Sequence, residues 1–405
     1  MRGSRSDPTV TRRRVFWLAA GLVLAALLLW VAQSEIVLVT AEENGEIMTT
    51  SYVLEEEDFR HPRLQLLRTR EKLDEVIAGT PRQFEAALRL RSWVRSQWEP
   101  GGDFYYPPWD AVEILDLARR HGNRGFCAQY AIVFLQACQS MGIHARYVDL
   151  VGHFVVAIWS DDFDRWILMD PMYDLHYEKD HVPMRGRGLY RAYWTKDVTG
   201  IEQVDSRGRR RPIALPDLEH YRQMSIDTSA NQLTEPVEVR INGTWRTLKH
   251  ADDYRAYPKV GRDQLMVESE FLAWRSGEAG ERAPERPQTT EDDDFRYAMN
   301  QTILLLANSR VRKQILKVAL LRQNCPTFAR FQVRSEASTD WVPSPADTVK
   351  WLLHPGENQL QARIETRDGW KGPASTLRLY YKPVLFTFLP AFPGYIYRVV
   401  AHPSS

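Results

Sequence analysis

Val15 to Val31 reads VFWLAAGLVLAALLLWV, seventeen residues with no charge among them, and Ala32 extends the run. At about 1.5 Å per helical residue, roughly 18 such residues span most of a ~30 Å hydrocarbon core. Arg12, Arg13 and Arg14 stand directly before it, with Arg2 and Arg5 further back. Glu35, Glu42, Glu43 and Glu46 follow it, and no Lys or Arg appears until Arg60. Lys and Arg gather on the cytoplasmic flank, so this asymmetry sets the N-terminus inside and everything after residue 35 outside. A cleaved signal peptide competes with that reading. It needs an apolar stretch of about 7–15 residues and a small-x-small cleavage site, and no convincing one follows Trp30. We expect a cytoplasmic tail at 1–14 and a single transmembrane helix at 15–34. The body then faces the periplasm or exterior from a bacterial inner membrane.

That body has a globular composition. Apolar residues are 44% and charged residues 26% of the chain, which excludes wholesale disorder. Lys plus Arg number 53 against 52 Asp plus Glu, a net charge of +1. Nucleic-acid domains carry a basic excess, so no nucleic-acid partner is expected. Three cysteines, Cys127, Cys138 and Cys325, are too few for a disulfide scaffold and lack metal-cluster spacing, and no glycine-rich phosphate loop occurs. Neither a metal nor a cofactor is expected.

Punctuation divides the body. Residues 35–80 read as a polar, partly strand-like neck. Pro81 opens a helical pattern with Phe84, Ala87, Leu88, Leu90, Val94 and Trp98 as its apolar positions. After the loop PGGDFYYPPW, Asp110 caps a helix with Glu113 three residues on, and Gly122 ends it. The next helix runs from Cys127 to Gly142, and extended runs follow at 143–151, 153–159 and 165–170. Residues 201–274 form a β-rich extension in which Asn242-Gly243 between alternating runs signals a hairpin. Residues 275–294 read as a linker, 295–324 as an amphipathic helix, 325–383 as an Ig-like β-sandwich, and 384–405 as an apolar tail broken by Pro390, Pro393 and Gly394.

The chemistry sits between residues 125 and 170. Cys127 follows Gly125-Phe126 and opens a helix, where the positive end of the dipole favours thiolate over thiol. Cys138 lies on the same face three turns deeper, roughly 16 Å away, which forbids a disulfide and marks it as packing. His153 begins HFVVAIW and Asp170 ends RWILMD. Pairing the two runs about the midpoint of 160–163 sets His153 directly opposite Asp170 on one sheet face. A carboxylate beside an imidazole fixes its tautomer and stabilises its charged form. His144, His176 and His181 lack metal-ligand spacing and read as surface residues, and Arg146 reads as a strand anchor pairing with a carboxylate.

The stretch GFCAQYAIVFLQACQSMGIHARYVD, then HFVVAIW from His153, then WILMDP from Trp166, resembles the transglutaminase-like (papain-type) superfamily. The resemblance covers about 80–200, so 81–200 is expected to be the transglutaminase-like domain. It implies an α+β fold in which the cysteine-bearing helix packs on an antiparallel sheet. It makes Cys127 the nucleophile, His153 the general base and then acid, and Asp170 the orienting carboxylate. The upstream helix with Arg91, Ser92, Trp93 and Val94 suits the family's lead-in. The Cys-to-His interval of 26 residues is shorter than in many members, leaving little room for inserted substrate loops.

On this reading the Cys127 thiolate attacks an acyl carbonyl, His153 protonates the leaving group, and water or an amine resolves the thioester. The Cys127 backbone N–H and a second donor hold the oxyanion, with Trp109 and Asn123 as candidates. Phe104, Tyr105 and Tyr106 are candidate substrate contacts, equally a packed lid. Three classes stay open: a membrane-anchored thiol enzyme acting on amide bonds of envelope peptides or glycans, a catalytically silent binding domain, and an assembly component of an envelope machine. The partners expected are the membrane and an envelope protein, peptide or glycan.

Overall fold

The computed structural model describes residues 8–45, 58–102, 109–122, 124–228, 233, 237–241, 244–248, 265–267, 271–274, 288–291, 295–307, 311, 314–336, 338–385 and 392–398. The charge-free run lies in one helix, α1 (Pro8–Ala32), whose described apolar side chains are exposed, Leu22 by 72%. Among the described residues no helix is long and apolar enough to cross a membrane.

The segment expected to be a neck is divided between two bodies. Strand β1 (Ser34–Glu43) buries Val37 and Val39 and pairs with strands near the far end of the chain. Helices α2 (Pro62–Arg70) and α3 (Leu73–Val76) bury Leu64, Leu67 and Leu73 and join the helical layer that follows. In that layer α4 (Gln83–Arg95) buries Phe84, Ala87, Leu90 and Val94 along one stripe. Helix α5 (Ala111–His121) starts where the Asp110 carboxylate accepts the N–H groups of Val112 and Glu113, and Gly122 closes it at φ +65°, a left-handed turn that costs glycine little. Glu113 pairs with Arg63 at 3.3 Å. At the centre lies α6 (Cys127–Ser140), with all of its side chains buried. Its interior polar groups are answered locally: Gln136 donates to the Trp109 carbonyl and accepts from the Ala111 N–H, both at 2.8 Å.

Three antiparallel strands follow, β2 (Ala145–Leu150), β3 (His153–Ser160) and β4 (Arg165–Asp170). Then come β5 (Leu175–Lys179), β6 (Val182–Pro183), α7 (Gly186–Thr195), β7 (Ile201–Asp205), β8 (Arg210–Pro212) and, after a 3₁₀ segment, β9 (Met224–Asp227). The hairpin β10 (Val237–Ile241) and β11 (Thr244–Leu248) pairs Ile241 with Thr244, so its connection has two residues; these, Asn242 and Gly243, lie outside the described residues. Strands β12 (Leu265–Val267), β13 (Phe271–Trp274) and β14 (Gln288–Thr289) complete this half, and of the expected 275–294 linker little beyond β14 is described. The main sheet has ten strands in the order β14-β13-β9-β2-β3-β4-β5-β7-β8, with β6 paired to β5. A boundary at residue 200 therefore falls inside one sheet. Strand β3 is apolar almost throughout because both faces are covered. Val156 and Ile158 pack with the helices around α6, while Val155 and Ala157 pack with α7 and β9 on the other face.

The β3–β4 register differs from the expected one by two residues. Trp159 faces Trp166 and Ser160 faces Arg165, so the connection is 161–164. Asp164 closes it at φ +50°, and Asp161 is held from outside: its N–H donates to Gln83 and its carboxylate accepts from Trp159 and Asn300. An even shift keeps every side chain on its face. His153 and Asp170 become diagonal neighbours on the expected side.

The expected helix at 295–324 is two strands, β15 (Gln301–Leu306) and β16 (Ile315–Gln323), paired antiparallel along their length. Leu316, Val318 and Leu320 are buried while Ile315, Lys317 and Leu321 are exposed, the period of two that a strand imposes. An isolated Ile-Leu-Leu-Leu run fits either period, and the partner strand decides. Strands β17 (Phe328–Ser335), β18 (Ser338–Pro343), β19 (Thr348–Leu352), β20 (Gly356–Thr366), β21 (Ser375–Lys382) and β22 (Phe392–Arg398) follow. They build a six-stranded sheet, β18-β17-β20-β21-β1-β22, and a three-stranded sheet, β15-β16-β19. Both share one core containing Val37, Leu316, Val318, Trp351, Leu360 and Leu379. The C-terminal β unit is thus larger than 325–383. It takes a strand from the neck, two from the segment expected to be helical, and one from the expected apolar tail.

Candidate active site

Cys127 is the first residue of α6, where helix geometry leaves the leading N–H groups without helical acceptors. The approach to it is tied down. The Phe126 N–H donates to Gln129 at 2.9 Å, and the Gly125 carbonyl accepts from the Gly101 N–H at 3.0 Å and the Trp98 indole at 3.3 Å. A β-carbon at Gly125 would meet Gln129 Cβ at 2.8 Å and Trp98 Nε1 at 3.0 Å, so the packing requires glycine. Cys127 itself is 5% exposed.

His153 opens β3 and Asp170 closes β4, and their side chains meet at 2.6 Å between Nε2 and Oδ2. The other Asp170 oxygen accepts the N–H groups of Met172 and Tyr173, both at 3.1 Å. With the ring protonated, Nε2 donates to that carboxylate. Cys127 shares a hydrogen bond with the same ring. Burial opposes a charged ring here. The hydrogen bonds to Asp170 and Cys127, with the negative charges behind them, outweigh it and push His153 up to about 10 from an ordinary 6.5. The structure therefore brings Cys127, His153 and Asp170 together.

Two flanking rings escaped the sequence reading. Tyr173 lies 5.5 Å and His220 5.1 Å from the His153 ring, centroid to centroid. His220 Nδ1 bonds the Val151 carbonyl at 2.7 Å. Tyr173 was reachable, being three residues past Asp170; no local signal ties His220 to a strand 67 residues earlier. Arg91, noted only as part of a lead-in helix, is fully buried and binds Asp174 at 2.9 Å, pinning the turn that leaves Asp170.

Trp109 is buried, and its indole Nε1 has no hydrogen-bond partner among the described residues. Its ring lies 5.0 Å from Tyr147, which stacks at 5.1 Å on Phe154, the neighbour of His153. Asn123 and Phe104, Tyr105 and Tyr106 lie outside the described residues. Cys138 is buried and burial alone pushes its thiol up, while Cys325 sits in the C-terminal core; none of the three cysteines is in a disulfide. Among the described residues no group of three or more His, Cys, Asp or Glu could hold a metal.

Three surface or anchor expectations need correction. His144 is interior, its ring 5.0 Å from Phe59, and burial pulls it down to about 4. His176 is buried between Arg91 and Glu178, at 3.0 and 2.9 Å. Only His181 of the three is exposed. Arg146 meets no carboxylate among the described residues: its guanidinium lies 4.1 Å over the Trp166 ring and donates to the Phe295 carbonyl at 2.6 Å.

A helix-borne cysteine set against a strand pair carrying histidine and aspartate defines a Cys-His-Asp class of site. The family model described as the transglutaminase-like superfamily matches residues 70–171, a span that ends one residue past Asp170. This chain carries a transglutaminase-like domain of that superfamily. Among solved structures it is similar to red sea bream transglutaminase, at 10% identity over 91% of this chain and 78% of that one, with a TM-score of 0.21. It is also similar to the extracellular domain of a one-component system from B. thetaiotaomicron, at 8% identity over 60% and 43%, with a TM-score of 0.16. Scores that low carry no structural argument. No curated protein matches the chain.

Proposed function

We propose that this chain is a membrane-anchored thiol enzyme that cleaves or transfers acyl groups at amide bonds through a Cys127 thioester. The observation that carries this reading is the 2.6 Å bond from His153 Nε2 to Asp170, on a ring that also shares a hydrogen bond with Cys127. The Cys127 sulfur bonds to the amide carbonyl carbon, the carbon–nitrogen bond breaks, and the departing nitrogen takes the proton from His153. Water or a second amine then attacks the thioester, giving its proton back to His153 and releasing the thiolate. The Cys127 N–H is one oxyanion donor, and the indole N–H of Trp109, without a hydrogen-bond partner among the described residues, is the second we favour. The substrate class we propose is a protein, peptide or glycan of the cell envelope. Anchoring through residues 15–34, with the domain on the periplasmic or outer side, rests on the charge-free run, the arginines before it and the exposed apolar side chains of α1.

An electrophilic thiol probe on the full chain in detergent tests the chemistry. Wild type is compared with Cys127→Ala, Cys138→Ala and His153→Ala. Cys127 is expected to dominate labelling near neutral pH and to slow sharply without His153. If Cys127 reacts no faster than Cys138 and His153→Ala changes nothing, the proposal is wrong.

A further inference from the structure

The face of the main sheet turned away from α6 contains a cavity of about 430 Å³ that the thiol chemistry does not use. Its floor is apolar, formed by Val148, Ala157, Leu168, Met224 and Ile226. Seven of its described lining side chains are Arg or Lys, against one acid, Asp180. Three observations give this cavity a ligand chemistry.

Arg146 stands at its base, 8% exposed. One of its nitrogens donates to the Phe295 carbonyl, while Nε and Nη1 are buried with no hydrogen-bond partner among the described residues. Buried guanidinium donors left unpaired are costly, so native interiors rarely leave them so. Burial and the nearby charge of Arg185 pull Arg146 down to about 9. Residues 185–188, where α7 begins, form one wall. The positive end of a ten-residue helix therefore adds to the field, and its first turn holds no acidic residue. Gly186 lets the start of α7 pack closely on the floor, since a β-carbon there would sit 2.6 Å from the Met224 sulfur. Finally, a cavity of this volume with an apolar floor and cationic walls suits a small ligand with one charged end.

We propose that this cavity binds an amphipathic organic anion, its phosphate or carboxylate head joining Arg146 to the start of α7 and its apolar part lying on the floor. The inference is independent of the reading at Cys127. Such a head could belong to a soluble metabolite or to a membrane lipid, and the two sources are separable.

The test uses the full chain in neutral detergent and titrates octyl phosphate below its micelle concentration by calorimetry, with octanol and inorganic phosphate as half-ligands. Saturable one-site binding of octyl phosphate is expected. Inorganic phosphate should bind at least tenfold more weakly, and octanol should not saturate. Arg146→Met should lower affinity tenfold or more with its thermal transition retained; Ala157→Leu, which fills the floor, serves as a second variant should Arg146→Met fail to fold. Co-sedimentation with phosphatidic acid vesicles, wild type against the same variants, assigns the source: a loss there points to lipid, and a loss confined to octyl phosphate points to a soluble anion. Absence of saturable binding, or equal binding by both folded variants, overturns the proposal.

Discussion

Replacing Asp170 by Asn keeps an oxygen for the Met172 and Tyr173 amides and removes the charge beside His153. The magnitude follows from the ring's proton affinity. A rise from 6.5 to about 10 corresponds to roughly 5 kcal/mol at about 1.4 kcal/mol per pH unit. Burial works against that rise, and the hydrogen bond to Asp170 is the foremost cause supporting it. Losing the charge should remove about half, roughly 2–3 kcal/mol or two pH units. A folded-state value above 6.5 means the contribution is fully present below pH 6.5 and is lost as pH climbs through 10. Asp170→Asn should therefore be less stable than wild type at pH 6, with the difference vanishing near pH 10.5. Urea unfolding between pH 6 and 10.5 reads this directly. Thiol labelling at pH 6 should slow by about 10–100-fold, because His153 then holds its proton less tightly beside Cys127. A destabilisation equal at pH 6 and pH 10.5, or an unchanged labelling profile, refutes the reasoning.

Three further outcomes are expected. Gly125→Ala should cost about 1–3 kcal/mol and slow Cys127 labelling, because the new methyl meets Gln129 and Trp98; thermal unfolding and labelling rates check both, and an unchanged midpoint contradicts the packing. Trp109→Phe should cut turnover of an activated ester by about 10²–10³ while leaving Cys127 labelling intact, whereas equal losses in both would make Trp109 a packing residue only. Val37→Asp should destabilise the C-terminal sheets by about 3–5 kcal/mol and open 301–382 to proteolysis while Cys127 still labels. Unchanged cleavage would detach β1 from that core.

Local chemistry made much of the site legible. The Asp110 cap, the left-handed Gly122, the helix opening at Cys127 and the β4 bounds at 165–170 rest on short-range signals, and the structure has them at those residues. The face shared by His153 and Asp170 was legible too, since an even register shift preserves it. The register itself was not. The 161–164 turn is set by Gln83 and Asn300, which reach Asp161 from 78 and 139 residues away.

The same cause separates the remaining readings. Sequence by itself determined the charge-free segment, the order of the chemical residues and the superfamily resemblance, because each depends on neighbours along the chain. Tertiary structure alone decided that Ile303 to Leu320 pair as strands, that β1 joins strands more than 330 residues on, and that His144 and His176 are interior. It alone set Arg146 over the Trp166 ring beside a cavity, with no carboxylate partner among the described residues. Burial and pairing are properties of what packs against a residue, and for these residues the packing partners come from distant parts of the chain.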